Sequence, residues 1–209
     1  MTDPLFSVII PAYNSEKYIT RGLQSIRNQS FQDFQLIVVC DSCYDNTESI
    51  AKDYGAETAT VSYGCDGLTR DHGMRMATGQ WILFMDDDDW YLHEYCFKQL
   101  SEVIGKHDED VLAFSYIWKG KGYIRHTKEN VLDTESHVWA KCWRRAAIRN
   151  AYFGNARFAS DTYFIKRMRK NINRAVIWDM PIYYYNFMRE GSQTELLCLG
   201  AIRAPLAAK

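Results

Sequence analysis

Residues 81–90 read WILFMDDDDW, and this stretch decides the fold class. Trp81–Met85 has the length and the β-branched and aromatic content of an interior strand, so four aspartates follow the carboxyl end of a buried strand. Open α/β sheets bind their ligands at that end. Each aspartate raises the cost of ionising its neighbours unless a cation is present. The stretch therefore predicts a divalent-metal site at the carboxyl edge of an α/β sheet.

The acidic run also has an alternative interpretation as a solvated loop. A solvated run needs neither the buried strand before Asp86 nor the indole of Trp90 after it, so both features favour the metal site. A calcium loop of the EF-hand type is excluded. Counted from Asp86, Tyr91 replaces the turn glycine and Phe97 replaces the closing glutamate.

Predicted strands and helices alternate along the first ninety residues. The predicted strands are Phe6–Ile10, Phe34–Val39, Ala59–Ser62 and Trp81–Met85. Helices follow the first three strands, starting at Asn14 or Ser15, at Asp45, Asn46 or Thr47, and at Thr69, and ending near Ile26, Gly55 and Ala77. Successive β-α units imply a mostly parallel, Rossmann-like sheet with helices on both faces.

The second half has a less regular pattern. Helices are predicted at Tyr95–Ile104, Arg145–Arg149 and Asp161–Met168, and strands at Val111–Tyr116, Val176–Trp178 and Ile182–Tyr185. The segment from Gly120 to His137 has no clear assignment. No linker rich in proline, glycine or serine separates the halves, so we interpret residues 1–209 as a single domain with a smaller second lobe.

Composition limits the function classes. The chain has 209 residues, of which 47% are hydrophobic, and its net charge of -1 excludes a general nucleic-acid binder. No signal-peptide pattern follows Met1 and no run of about 18 uncharged apolar residues occurs, so we expect a cytoplasmic protein without a membrane span. The six cysteines are expected to be reduced. For the C-x-x-C pair Cys40 and Cys43, a redox or zinc role remains the alternative to a structural one.

Two common phosphate-binding motifs are absent from the sequence. Neither G-x-G-x-x-G after a strand nor G-x-x-x-x-G-K-[ST] occurs, which disfavours ordinary dehydrogenases and kinases. A sheet that binds phosphate without a glycine-rich loop needs a metal ion to neutralise the charge. The run that starts at Asp86 can bind that ion.

Several short motifs occur in a fixed order along the chain. They are FSVIIPAYN at 6–14, NQSF at 28–31, VVCDS at 38–42, DNT at 45–47, RDHG at 70–73, ATG at 77–79 and DDDDW at 86–90, then WRR at 143–145, SD at 160–161 and residues 185–192. In this order and spacing the chain resembles the family 2 glycosyltransferases. The resemblance implies a GT-A fold and transfer of a sugar, with inversion, from a nucleotide-diphosphate sugar, with a UDP-sugar as the expected donor.

The resemblance also implies roles for individual residues. The donor side comprises Pro11, Ala12 and Tyr13 at the base, Asp41 at the base or ribose, Arg70 at the base or diphosphate, and Asp86 and Asp87. Asp88, with Asp86, is expected to hold Mn²⁺ or Mg²⁺, and Asp161 matches the general base. The acceptor side comprises Trp143, Arg144, Arg145, Asp89 and Trp90. Residues of about 1–91 then form the nucleotide-sugar-binding half and about 92–209 the acceptor-binding half.

The chemistry fits these residue types independently of the resemblance. Cleavage of a glycosyl-diphosphate bond leaves negative charge on phosphate oxygens, which a divalent cation stabilises. A carboxylate must take the proton of the acceptor hydroxyl. Without the resemblance, Asp161 would be interpreted as a helix cap, and Tyr183–Tyr185 as core residues rather than a sugar-stacking surface.

Three departures from the family pattern affect the donor site. Cys40 replaces a common aspartate, Ser42–Tyr44 replaces a glycine-serine turn, and Ser160 replaces a usual glutamate. The Q-x-x-R-W motif of processive synthases is absent, which favours addition of one sugar. The expected acceptor is a saccharide or a lipid-linked saccharide, in cell-surface polysaccharide or glycolipid assembly at the inner face of the membrane.

The basic residues of 166–174 form either a solvated face or a contact with anionic lipid head groups or phosphorylated acceptors. Two other functions remain open for the chain. One is a sugar nucleotidyltransferase, although no glycine-rich basic loop follows the first strand. The other is a non-catalytic carbohydrate-binding protein on the same fold.

Overall fold

We describe the protein from a computed structural model that covers residues 3–127, 130–133, 137–156 and 159–190. Within these ranges the strands are β1 Phe6–Ala12, β2 Phe34–Asp41, β3 Glu57–Val61, β4 Trp81–Phe84, β5 Trp90–Tyr91, β6 Val111–Trp118, β7 Gly122–Ile124, β8 Lys141–Arg144 and β9 Ala175–Tyr185. The helices are α1 Ile19–Arg27, α2 Thr47–Asp53, α3 Asp66–Met76, α4 Cys96–Val103, α5 Arg145–Ile148 and α6 Ser160–Met168.

The strands form one mixed sheet in the order β3-β2-β1-β4-β8-β6-β9-β5, with β7 paired to β6. The parallel pairing predicted from the β-α repeats is present in the first half, where β1 pairs with β2 and β4, and β2 pairs with β3. In the second half β8 runs antiparallel to both β4 and β6, while β9 is parallel to β6 and antiparallel to β5. The first half of the sheet is therefore wholly parallel, while the second half combines the parallel pair of β6 and β9 with short antiparallel pairs.

Strand β1 continues through Pro11, which the sequence predicted would end it. The backbone N–H and C=O groups of successive residues point alternately to the two neighbouring strands, so those of Pro11 and Ile9 point to the same side. That side is the β4 side, because Ile9 O accepts from Met85 N at 3.0 Å. Strand β4 ends at Phe84. The missing N–H of the proline therefore removes no ladder hydrogen bond, which is the position where a strand tolerates proline.

Two further element boundaries differ from the predictions. Helix α1 begins at Ile19 because a turn precedes it, in which Ser15 O accepts from the N–H groups of Tyr18 and Ile19 at 2.8 and 2.9 Å. The two short strands predicted after residue 175 form the single strand β9. Its pairing with β6 jumps from Trp178 to Pro181, so a bulge absorbs the proline between the two predicted pieces.

The core comprises the apolar side chains of the central strands and of the inner helix faces, among them the fully buried Phe6, Phe84 and Phe97. Cys40, Cys65, Cys96 and Cys142 are buried, Cys43 is half-buried, and all five are free thiols. Cys198 lies outside the described residues, as do the last two residues of the predicted 185–192 motif. No helix in the described ranges is long and apolar enough to cross a membrane.

Candidate functional site

A cavity of about 1180 Å³ opens where β1, β2 and β4 end. Pro11 and Ala12 from β1, Asp41 from β2 and the acids after β4 line one part of it. The start of α6 and the segments around residues 137–139 and 185–190 line the remainder. Among the residues predicted for the site, this cavity brings together Pro11, Ala12, Tyr13, Asp41, Arg70, Asp86, Asp87, Asp88 and Asp161.

Asp41 is a buried carboxylate whose oxygens are filled by hydrogen bonds from the protein. The donors, at 2.8 to 3.0 Å, are Ser42 Oγ, the N–H groups of Tyr63, Gly64 and Cys65, and Thr69 Oγ1. Burial would raise the pKa of Asp41, but these donors stabilise the ionised form and hold the pKa below its usual range. Asp41 therefore shapes the loop at 63–65, which joins β3 to α3 at the cavity.

Arg70 on α3 connects two acids and the start of α6. Arg70 is 5% exposed, and its guanidinium pairs with Asp66 and contacts Asp86 Oδ1 at 2.6 Å. It also donates to Ser160 Oγ at 3.2 Å, and Ser160 in turn donates to Asp66 at 2.5 Å. Burial would lower the pKa of Arg70, but Asp66 and Asp86 raise it above its usual value. Asp66 was missed in the sequence, although its i,i+4 spacing to Arg70 signals the pair.

The acids after Asp86 pair with a second arginine from the end of the described chain. Arg189 contacts Asp88 Oδ2 at 2.7 Å and Asp87 Oδ1 at 3.3 Å, and its guanidinium lies 4.5 Å from the ring centre of Tyr18. Burial raises the pKa of Asp88 to about 6, with a further contribution from Asp87, while Arg189 acts in the opposite direction. Burial likewise raises the pKa of Asp86 to about 7. A nearby positive charge would favour the ionised form of both carboxyls.

Asp89 does not line the cavity, in contrast to its predicted place on the acceptor side. The side chain is fully buried, accepts from Tyr183 Oη at 2.6 Å and from Asn186 N at 2.7 Å, and burial raises its pKa well above the usual value. Tyr183 Oη also accepts from Asp86 N at 3.2 Å. Asp89 thus fixes the acidic loop against the end of β9.

Trp90, Trp143, Arg144 and Arg145 also lie outside the cavity lining. Trp90 stacks on Tyr184 with ring centres 4.1 Å apart. Because β8 is antiparallel to β4, Arg144 pairs with Trp81, at the end of β4 opposite to the acids. There Arg144 contacts Asp108 at 2.8 Å and Arg145 contacts Asp3 at 3.0 Å. Trp143 is fully buried.

The same antiparallel pairing brings the residues before β8 to the acid end of the sheet. His137 and Trp139 line the cavity, with rings stacked 4.5 Å apart, and Trp139 stacks in turn on Tyr183 at 4.9 Å. Tyr185 lines the cavity beside them. His137 and Trp139 were missed because they lie at the end of the unassigned segment 120–137 and just after it. For Tyr183, the interpretation as a core residue is correct.

Asp161 lies in the first turn of α6 and lines the cavity. The N-cap position belongs to Ala159, which has a left-handed backbone with φ 53°, and no side chain caps the helix. Asp161 Oδ2 instead accepts from Val138 N at 2.9 Å. The interpretation of Asp161 as a helix cap is therefore wrong, because its carboxylate points to another segment of the cavity wall.

A divalent cation is compatible with the residues present, although the described ranges hold no group of three or more His, Cys, Asp or Glu side chains placed to bind one. Mg²⁺ is commonly held by one or two carboxylates together with substrate phosphates. Asp86 and Asp88 supply such hard oxygen donors at the cavity. Their raised pKa values indicate carboxylates that a cation would stabilise in the ionised form.

Comparison with known proteins places this geometry in context. TarS of Staphylococcus aureus (strain Mu50), a poly(ribitol-phosphate) beta-N-acetylglucosaminyltransferase, is 31% identical over 207 residues, which cover 89% of this chain and 36% of TarS. The minor teichoic acid biosynthesis protein GgaB of Bacillus subtilis is 27% identical, over 90% of this chain and 23% of GgaB. The chain thus spans well under half the length of these relatives.

Solved structures of glycosyltransferases are similar to this chain. S. aureus TarS 1-349 in complex with UDP-GlcNAc matches with a TM-score of 0.81 and 29% identity, over 93% of this chain and 61% of that chain. The mannosyltransferase PcManGT from Pyrobaculum calidifontis, in complex with GDP-Man and Mn²⁺, shares the fold with a TM-score of 0.72 at 15% identity, over 91% and 59% of the two chains. The predicted GT-A fold class is confirmed. Because the model of glycosyl transferase family 2 matches residues 7–175, the chain belongs to that family of sugar-transferring enzymes.

Proposed function

We propose that this chain transfers a single sugar from a UDP-sugar to a saccharide hydroxyl, with inversion at the anomeric carbon, during assembly of a cell-surface polymer. One observation carries the proposal: Asp86, Asp88 and Asp161 line a single cavity at the carboxyl edge of the sheet. The UDP-GlcNAc complex of TarS, 29% identical to this chain, supports the donor class. TarS, a poly(ribitol-phosphate) beta-N-acetylglucosaminyltransferase, and GgaB, a minor teichoic acid biosynthesis protein, support cell-surface polymer assembly as the setting.

The donor nucleotide is proposed to lie along the ends of β1 and β2. Tyr13 and Tyr44 line the cavity there and are 59% and 85% exposed, so both rings are available to stack on a base. Asp41 acts on this region through the backbone it holds, and contributes its carboxylate to the nucleotide side of the cavity. Residues of about 1–91 then supply the nucleotide contacts and the rest of the chain the acceptor contacts.

The diphosphate is proposed to lie next to Asp86, Asp87 and Asp88. Mn²⁺ or Mg²⁺ would be held there by Asp88, with Asp86, and when bound would stabilise the charge that develops on the leaving diphosphate. Arg70 positions Asp86 through the 2.6 Å ion pair. The Arg189 guanidinium, now on Asp88, supplies positive charge to the same region.

Asp161 is proposed as the general base that takes the proton of the acceptor hydroxyl. The Val138 N–H holds one of its oxygens at 2.9 Å and so fixes the carboxylate in the cavity. The acceptor sugar is proposed to pack on His137, Trp139 and Tyr185, which replace Trp143, Arg144 and Arg145 as acceptor contacts because they line the cavity. Apolar sugar faces pack well on such rings.

Contact with the inner face of the membrane remains part of the proposal. Lys166, Arg169 and Lys170 at the end of α6 are exposed, as a contact with anionic head groups requires. Co-sedimentation with vesicles that contain phosphatidylserine, compared with neutral vesicles at the same salt concentration, tests this contact. Equal sedimentation with both kinds of vesicle contradicts it.

The experiment measures UDP release from UDP-GlcNAc, and from other UDP-sugars, with Mn²⁺ or with excess chelator. We expect slow release that requires the metal, loss of this release in Asp88→Asn, and a fall of about a hundredfold to ten-thousandfold in Asp161→Asn with UDP affinity unchanged. Asp53→Asn, at an exposed carboxylate on α2, is the matched control. Release of pyrophosphate would indicate a nucleotidyltransferase, and UDP-sugar binding without any release would indicate a binding protein.

A further inference from the structure

A buried lysine lies behind the proposed base and has no part in the donor contacts. Lys141, the first residue of β8, is 0% exposed. Lysine side chains are almost never fully buried unless a partner stabilises their charge. Burial lowers the pKa of Lys141 to about 7, and the nearby carboxylate of Asp161 acts in the opposite direction. A neutral side chain would occupy the same space at a lower desolvation cost, so the charge calls for an explanation.

One peptide unit joins Lys141 to Asp161. The Nζ of Lys141 donates to His137 O at 2.7 Å. The N–H of the same peptide, that of Val138, donates to Asp161 Oδ2 at 2.9 Å. An ammonium group on the carbonyl polarises the peptide and strengthens the hydrogen bond that its N–H donates. Lys141 therefore acts on the carboxylate through the peptide as well as through its charge.

Neighbouring contacts hold this peptide in one orientation. The indole of Trp143 donates to Val138 O at 3.0 Å, and the His137 ring stacks on Trp139. Lys141 and Trp143 alternate with Cys142 on β8, so both side chains reach back from one face of the strand to the segment before it. The strand thus holds the His137–Val138 peptide through Lys141 and the following peptide through Trp143, and only the bond from Lys141 carries a charge.

We propose that Lys141 is a positioning residue for Asp161: it aligns the His137–Val138 peptide so that the Val138 N–H holds the carboxylate in the place where it takes the proton of the acceptor hydroxyl. The proposal rests on the proposed function, in which Asp161 is the general base. The charged and titratable groups that act on Asp161 are Arg70 from α3, Asp86 from the loop after β4, His137 and Lys141. Arg70 is shared with Asp66 and Asp86.

The test compares Lys141→Met with Trp143→Phe, which removes the neighbouring bond without a change in charge. UDP release from UDP-GlcNAc with Mn²⁺ is measured from pH 5 to pH 9, together with UDP affinity and circular dichroism. For Lys141→Met we expect turnover at pH 7 to fall about tenfold or more, UDP affinity to stay within about twofold, and the acid limb of the pH profile to move to higher pH. Trp143→Phe should leave the acid limb in place.

A double variant separates positioning from a general structural role. If Lys141 acts through Asp161, Lys141→Met should cause no further loss beyond about threefold in an Asp161→Asn background. The proposal would be overturned if the turnover losses of the two single variants multiply in the double variant. A fall in UDP affinity in Lys141→Met, or an acid limb that does not move in that variant, would also overturn it. Should Lys141→Met fail to fold, Lys141→Gln, which keeps a donor for His137 O without the charge, is subject to the same criteria.

The role of Asp161 and the role of Lys141 are refuted by different results. If Asp161→Asn alone retains turnover within about threefold of wild type, the general base is misassigned and the role of Lys141 falls with it. If Asp161→Asn loses turnover but Lys141→Met keeps the wild-type pH profile, only the role of Lys141 is refuted.

Discussion

Replacing Asp41 with asparagine keeps the size of the side chain but removes its charge and one acceptor oxygen. The asparagine oxygen can keep the Oδ1 contacts to the N–H groups of Tyr63 and Gly64, at 2.8 and 3.0 Å. Its NH₂ group then faces Cys65 N and Thr69 Oγ1, the two donors whose hydrogen bonds Oδ2 accepts in the wild type. The Thr69 hydroxyl has a second acceptor in Cys65 O at 2.9 Å, so the main unsatisfied group is the buried Cys65 N–H.

A hydrogen bond to a charged acceptor contributes about 1.5–3 kcal/mol, and the remaining bonds to Oδ1 weaken when the charge is lost. We therefore expect Asp41→Asn to lower the free energy of unfolding by about 2–4 kcal/mol. For a chain of this length each kcal/mol changes Tm by about 2–4 °C, so Tm should fall by roughly 4–16 °C. Urea unfolding measures the free energy, and Ser42→Ala, which removes one donor to Oδ1, should lose only about 1 kcal/mol.

The pH dependence provides an independent check on this prediction. The pKa of Asp41 is lower in the folded chain than in the unfolded chain, where it is about 3.9. The stabilisation is therefore fully present above the unfolded value and is lost as the pH falls through the folded value. The difference between wild type and Asp41→Asn should shrink below about pH 4. A loss below about 0.5 kcal/mol at pH 7 combined with weaker UDP binding would refute the structural role and assign Asp41 to the donor alone.

Two further predictions concern the acids after β4. Tyr183→Phe removes the hydroxyl that joins Asp89 to the Asp86 N–H. It should lower the free energy of unfolding, measured in urea, by about 1–3 kcal/mol. A change under about 0.5 kcal/mol would contradict the role of this hydroxyl. Arg189→Met removes the guanidinium that pairs with Asp88. In the absence of donor, Mn²⁺ should therefore bind about tenfold more tightly, a gain in binding free energy of roughly 1.4 kcal/mol. Electron paramagnetic resonance of free Mn²⁺ during a titration measures this affinity. Unchanged or weaker Mn²⁺ binding would show that Arg189 does not compete for Asp88.

The parts of the fold that were predictable are those with local causes. Strand β4 and the acids after it follow from a contiguous apolar run and its end, and the strands of the first half follow from the same pattern. The pair of Asp66 and Arg70 is also local, because i,i+4 spacing places two side chains on one face of α3. Residue types and short spacings therefore lead to the acids after β4, whereas Pro11, Ala12, Tyr13 and Asp41 were expected at the donor site only from the family resemblance.

The acceptor side was not predictable, because it depends on pairing between distant strands. Nothing near Arg144 indicates that β8 runs antiparallel to β4, yet this direction decides that Arg144 lies beside Trp81 and that His137 lies at the acids. Arg189 reaches Asp88 from a distance of a hundred residues in sequence, for the same kind of reason. Apart from Asp66, whose pair with Arg70 is local, the residues missed at the site are those whose positions are set by tertiary contacts.

The four consecutive aspartates are not equivalent, and their partners determine which of them can bind a cation. Asp89 is buried on Tyr183 and Asn186, so it stays with the fold when a ligand arrives. Asp86 is held by Arg70, which Asp66 also neutralises, so Asp86 can contact a cation without leaving Arg70 unpaired. Asp88 is held by Arg189, which lies after the end of β9 and not on a helix or strand, whereas Arg70 lies on α3.

A cation that takes the place of Arg189 on Asp88 leaves the guanidinium with Asp87 alone and able to pair with a second anion nearby. The diphosphate of the donor supplies that anion, since Arg binds phosphate oxygens through the same planar donors that now face the carboxylates. Metal and donor should consequently bind with positive coupling, each tighter in the presence of the other by the same factor. Calorimetric titration of UDP with and without Mn²⁺ measures that factor, and Arg189→Met should reduce it, because the exchange of partners at Asp88 is then no longer needed.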